Sequence, residues 1–230
     1  MLRDGRGVPK DSESAFQSMS ELANTKNYGL AHYATAIMLS TGEGVPQDHT
    51  KAFHHFTQAG HCGVVPAIHN LANAYATGQG VEQSDPKALK MYELAVELGD
   101  PAAKFTLGVW LYKGRAVEVN KARAFQLQLE AAQAGHPVAM FNTGAAHMEG
   151  TAVQRDFHVA ALWFEKAAER GLPEAAVNLG SLYRKGMGGD EPGAIKKDLH
   201  KALEVFRKYA HIPMCQALAN SVEIDIKEGK

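Results

Sequence analysis

Residues 67–101 read AIHNLANAYATGQGVEQSDPKALKMYELAVELGDP, and this stretch decides the fold. It holds an apolar helix pattern, a Gly-x-Gly-Val turn, a second apolar helix pattern and a glycine stop. The pattern recurs. Ala31, Ala67, Ala103, Ala139 and Ala175 stand thirty-six residues apart, as do Gly42, Gly78, Gly114, Gly150 and Gly186. Gly63, Gly99, Gly135 and Gly171 keep the same period, and so do Ala52, Ala88, Ala124 and Ala160. A fixed period of this length marks a stack of supersecondary units, each too small to bury its own apolar face alone.

Four of the units begin with a helix that opens near a proline (Pro66, Pro101, Pro137, Pro173). Proline suits a first turn, because the amide hydrogen it lacks would have no partner there. Small and large residues then alternate at i, i+4, i+5 and i+8, as in Ala67-Leu71-Ala72-Tyr75 and Ala175-Leu179-Gly180-Tyr183. The small ones let a neighbouring helix approach. The first glycine of each turn suits the left-handed cap. Ala116 and Ala152 replace the second glycine in two turns, which must be built differently or be slightly strained. Asp11, Asp48, Ser84, Asn120, Asp156 and Asp198 form a column of N-cap residues before the second helices.

These columns predict an all-α chain. A partial repeat, 1–29, supplies a second helix only. Five full repeats follow at 30–66, 67–101, 102–137, 138–173 and 174–213. A capping helix and tail occupy 214–230, and the last residues are expected to fray. Leu2 to Val8 match Tyr183 to Gly188, so the sequence opens in mid-repeat. Ala15, Phe16, Met19 and Leu22 then need a cover, from an upstream helix or a partner. Between Gly186 and Ala202 the turn carries six extra residues. That insertion is either a plain solvated loop or a functional one.

The combination of Asn70-Leu71-Ala72 with Tyr75, Gly78-Gln-Gly80-Val81, Ala160 with Trp163-Phe164-Glu-Lys166-Ala167-Ala168-Glu-Arg-Gly171, and Asn178-Leu179-Gly180-Ser-Leu-Tyr183 resembles the Sel-1-like repeat. This repeat is a relative of the tetratricopeptide repeat with a longer inter-helix turn. The resemblance covers essentially the whole chain. It implies a right-handed α/α superhelical solenoid of antiparallel two-helix repeats that acts as an adaptor or scaffold. Family members include partners of ER-associated degradation, activators of chitin synthase, mitochondrial assembly or stress factors, and bacterial Cys-rich secreted proteins. Cys62 and Cys215 are too few for the last group.

Composition narrows the function further. Twenty-four Lys plus Arg against 25 Asp plus Glu gives no basic excess for nucleic acid. No apolar run nears the roughly 20 residues of a membrane span, and MLRDGRGVPK has no signal-peptide core. Few cysteines favour an intracellular setting, cytoplasmic or organellar, mitochondria included. No cofactor is expected, and no enzyme motif stands out. Gly-x-Gly follows no strand, and His-Glu-x-x-His, Gly-x-Ser-x-Gly and Cys-x-x-Cys are absent. The expectation is a non-catalytic scaffold or adaptor, an accessory subunit or assembly factor of a larger complex. The alternative is a metal- or cofactor-binding protein, or small enzyme, using His54, His55, His61 and Cys62.

By analogy with tetratricopeptide stacks, first helices line a concave face. One column there is Tyr33, His69, Phe105, Phe141 and Val177; another is Ile37, Asn73, Val109, Ala145 and Ser181. Tyr112, Lys113, Met148, Glu149, Arg184 and Lys185 lie at the helix ends. The ring ladder either seats a peptide or packs between repeats. Asn70, Asn142, Asn178 and Thr106 form a polar column suited to backbone bonding. Arg184, Lys185, Lys196, Lys197, Lys201, Arg207 and Lys208 crowd the last repeat, as a solvated face or as a dock for an acidic partner.

Overall fold

The structure is a computed structural model that describes residues 11–189, 191 and 193–229. The turn read at Gly5 to Val8, together with Asp190 and Lys230, lies outside the described residues. Among the described residues twelve helices follow one another: α1 Ser12–Lys26, α2 Gly29–Thr41, α3 His49–His61, α4 Val65–Thr77, α5 Asp85–Glu97, α6 Pro101–Lys113, α7 Lys121–Gln133, α8 Pro137–Glu149, α9 Phe157–Glu169, α10 Pro173–Lys185, α11 Leu199–Lys208 and α12 Pro213–Lys227. Among the described residues there is no strand, only an isolated bridge between Met187 and Ile195.

The chain forms two compact units. One takes the described residues up to Trp110 plus Gly114–Glu118; the other takes Leu111–Lys113 and everything from Val119 onward. In the first, α1 packs on α2, α2 on α3, α3 on α4 and α4 on α5. In the second, neighbours from α7 to α12 pack in the same sequential way, and α12 also touches α10.

The cap column positions the second helices as read. Asp11, Asp48, Ser84, Asn120, Asp156 and Asp198 each accept from the backbone amide three residues on, at 2.8–3.5 Å. Each such cap is worth about 1 kcal/mol against alanine. Two first helices carry caps of the same kind that follow no sequence column. Asp100 accepts from the Ala103 amide at 2.6 Å, and His136 Nδ1 from the Ala139 amide at 3.2 Å.

In four of the five full repeats the core holds an aromatic side chain of the second helix, while α7 buries Leu127 among alanines instead. Phe56, Tyr92, Phe164 and Phe206 are all buried. A methyl group on Gly144 would press on the Phe164 ring, and one on Gly180 would overlap Phe206. The small residues of the first-helix stripe are therefore the floor of a ring socket.

The turns show how the two alanines are accommodated. Gly44 and Gly80 have φ of 74° and 75°, and Ala116 and Ala152 take the same left-handed backbone at 57° and 60°. The second of the two sequence alternatives, a strained turn of the same kind, is the observed one. Beside it, the Arg115 guanidinium spans the turn. It bonds both Asp85 carboxylate oxygens at 2.7 and 3.0 Å and the Ala76 carbonyl at 2.8 Å, and lies 4.3 Å from the Trp110 ring centre. That pairing holds the Asp85 carboxyl below its usual range.

Gly186 departs from its column, with φ 67° and ψ 148°. The six-residue insertion is the cause. Met187 and Ile195 exchange backbone bonds of 2.7 and 2.9 Å, and the Asp198 amide donates to the Tyr183 carbonyl at 2.7 Å. Farther out, the Gly193 carbonyl accepts from the Phe157 and His158 amides, and Glu191 pairs with Arg155. Ile195 is buried. The insertion is thus folded onto α9 and α10 at both ends.

Candidate interaction face

In the first unit, the first helices present Tyr33 on α2, His69 and Asn73 on α4, and Phe105 and Val109 on α6, all half-buried. The rings are not free-standing. Tyr33 packs on Phe56 at 6.0 Å between ring centres, and His69 on Tyr92 at 5.8 Å. Tyr92 in turn meets Trp110 edge-on at 5.1 Å. Its hydroxyl donates to Asn73 Oδ1 at 2.6 Å, and burial pushes that phenol up to about 12. Two members of the Asn/Thr column bond to their own helices: Asn70 donates to the Pro66 carbonyl at 2.9 Å and Thr106 to the Ala102 carbonyl at 3.0 Å. Between α2, α3 and α4 lies a small cleft of about 290 Å³. Ser40, Gln47, Asn70, Asn73 and Gln79 line it with polar groups over Phe53 and Phe56.

In the second unit, Phe141 packs on Phe164 at 5.4 Å and Met148 is half-buried. Tyr112 is exposed, with the Lys121 ammonium 5.8 Å from its ring centre. At the last repeat the structure brings several of the sequence candidates together. Val177, Ser181, Arg184, Lys185 and Lys197 surround one cleft of about 460 Å³, completed by Leu199, Met214, Leu218 and Asp225. Arg184 is fixed in its wall, donating to Ser221 at 2.9 Å and Asp225 at 2.6 Å.

The basic crowd sorts into two kinds. Arg207 pairs with Glu223 at 2.8 Å, Lys208 with Glu169 at 3.3 Å, and the Lys201 ammonium lies 4.3 Å from the centre of the Tyr183 ring. A hydrogen bond to Tyr183 raises the Lys201 pKa. Lys185, Lys196 and Lys197 are exposed and have no ion-pair partner among the described residues.

The histidine cluster is arranged differently from its sequence reading. His55 faces His32 of α2, with 2.9 Å between the two Nδ1 atoms, while His54 meets His55 edge-on. The exposed Cys62 thiol points to the Asn27 carbonyl at 3.5 Å. Among the described residues, no three His, Cys, Asp or Glu side chains converge as a metal site. Cys215 is buried in α12, and burial pushes its thiol up. No helix among the described residues is long and apolar enough to cross a membrane.

Comparison with known proteins gives the same architecture. The Sel1 repeat family model matches residues 1–17, 29–64, 65–100, 101–136, 137–172 and 173–208. No curated protein matches the chain. Among solved structures, a protective antigen of uropathogenic Escherichia coli displaying an SLR fold is 27% identical, with a TM-score of 0.74. That match covers 91% of this chain and 44% of the antigen, so the chain spans less than half that protein's length. A Sel1 repeat protein from Oxalobacter formigenes is 24% identical with a TM-score of 0.76, over 92% of this chain and 84% of its own. An immunity protein from Pseudomonas aeruginosa, 23% identical with a TM-score of 0.53, matches over 77% of this chain and 63% of its own and shares the fold.

Proposed function

The chain belongs to the Sel1 repeat family, and on that premise we propose that it is a non-catalytic scaffold that holds protein partners on its first-helix face, as an accessory subunit or assembly factor. Proteins of this family generally mediate protein–protein interaction. One observation carries the reading to this chain. Tyr33, His69 and Phe141 are each held by an aromatic residue of the following helix, yet none is buried outright. Rings fixed by folding lose little further freedom when a partner covers their open edges, which is how aromatic anchors come to dominate interfaces. The two free thiols suit work in a reducing intracellular compartment, cytoplasmic or organellar.

The test is affinity capture from the native source with the intact chain and with Phe105→Ala combined with Phe141→Ala. The scaffold reading expects stoichiometric partners on the intact chain and their loss from a double variant that keeps its helical circular dichroism. Equal capture by both would refute this face.

A further inference from the structure

We infer that the cleft between α10 and α12 binds an acidic peptide segment, seating an apolar side chain on its floor and carboxylates on Lys185 and Lys197. The inference rests on the scaffold reading and names the partner chemistry for one part of that face.

The floor and walls come from three elements. Val177 belongs to α10, Leu199 opens α11, and Met214 and Leu218 belong to α12. Met214 is 59% exposed, a large apolar side chain left open to water. A space of about 460 Å³ takes one bulky side chain and the backbone beside it.

The cationic end is a product of the insertion. Lys185 closes α10, and Gly186 follows with a backbone that only glycine adopts readily. A Cβ there would stand 2.7 Å from the Lys197 amide nitrogen, so the strand of chain carrying Lys197 passes directly beside Lys185. The Met187–Ile195 bridge and the Asp198-to-Tyr183 bond hold that placement. Ile195 pairs with Met187 just beyond α10 and Asp198 bonds back to Tyr183 of α10, so Lys197 between them lines the cleft.

Charge then selects the occupant. Among the described residues, the charged groups lining the cleft are Arg184, Lys185, Lys197 and Asp225. Asp225 is matched by Arg184 at 2.6 Å, which leaves two ammonium groups at the rim with no ion-pair partner among the described residues. A rim of this sign steers anionic segments and rejects cationic ones.

The test uses the full chain and a pool of fluorescein-labelled heptapeptides, each with one variable apolar residue among glutamates, read by fluorescence anisotropy. The matching pool with lysine in place of glutamate is the control. Saturable binding is expected for the acidic pool only, weakening at least about tenfold on raising salt from about 50 to about 300 mM. Lys185→Glu with Lys197→Glu should weaken it at least about tenfold, and Met214→Asp similarly, while Lys196→Glu, outside the cleft lining, stays within about twofold. No saturable acidic binding, or equal loss with Lys196→Glu, would overturn the inference. Failure here with partner capture intact leaves the scaffold reading standing. Peptide binding without any captured partner would sink that wider reading instead.

Discussion

The Nδ1 atoms of His32 and His55 lie 2.9 Å apart across the α2–α3 contact, while His32 Nε2 lies 3.1 Å from Asn27 Oδ1. The Asn27 oxygen can only accept, so His32 donates from Nε2 and its Nδ1 is left to accept from His55 Nδ1–H. Two neutral rings satisfy this chain of bonds. Two charged rings cannot, since each would point a proton at the other. Burial, followed by the charges of His32 and His54, lowers the His55 pKa from 6.5 to about 4, and burial lowers that of His32.

Stability therefore depends on pH in a defined direction. Unfolded histidines take up protons below about 6.5, while folded His55 resists down to about 4 and His32 is shifted in the same direction. The unfolded state binds more protons across that window, so the pair's contribution is complete above it and declines as pH falls through it, by up to about 1 kcal/mol per unit. Thermal melts should fall from pH 6.5 toward 4.5, and His55→Gln, which can still donate to His32, should flatten the decline. An equal decline in the variant would place its origin elsewhere.

Ala116 and Ala152 hold left-handed backbone that costs a side chain about 1–2 kcal/mol. Glycine relieves that strain and returns about 0.5–1 kcal/mol as unfolded-state entropy. Ala116→Gly and Ala152→Gly should each raise the melting temperature by about 1–3 °C. Gly80→Ala should do the reverse by a larger margin, because its methyl would overlap the His49 carbonyl. Differential scanning calorimetry of the three variants checks the contrast.

Gly180→Ala places a methyl inside the buried Phe206 ring. Overpacking of this sort costs about 1–3 kcal/mol. Gly180→Ala combined with Phe206→Leu should recover part of the loss in urea melts. Independent, additive losses would mean that the socket is not the cause.

Arg184 ties α10 to α12 through Ser221 and Asp225, with side chains 27% and 19% exposed for the ion pair. Arg184→Met should cost about 1–2 kcal/mol, less than a fully buried pair because water reaches both groups. Hydrogen exchange should quicken in α12 and remain unchanged in α2 to α4.

Most of the architecture was legible because its determinants recur. The first five N-cap residues sit thirty-six or thirty-seven apart, the sixth follows after the insertion, and all act alike, so six weak signals make one strong one. The equivalent positions before the first helices read Tyr28, Val64, Asp100, His136 and Leu172. No type recurs there, so periodicity does not mark Asp100 and His136 as caps. The His32–His55 contact was hidden for the same reason: it joins two columns that elsewhere hold apolar or unrelated residues. The face was harder still. Periodicity placed Tyr33, His69 and Phe141 in one column, but only the structure shows each ring leaning on its neighbour. Arg184, Lys185 and Lys197 were grouped by charge. That they share a cleft depends on the register of α12 and on how the insertion folds back, neither of which has a second copy in the chain.

Cross-linking mass spectrometry on the native assembly tests the scaffold role most directly, because it reports which face the partners touch. Links to partners should concentrate on Lys185 and Lys197 and on Lys113 at the end of α6, and spare Lys51, Lys87 and Lys166 on the second helices. Recovery of the chain alone, or links confined to the second helices, would contradict a scaffold that works through its first-helix face.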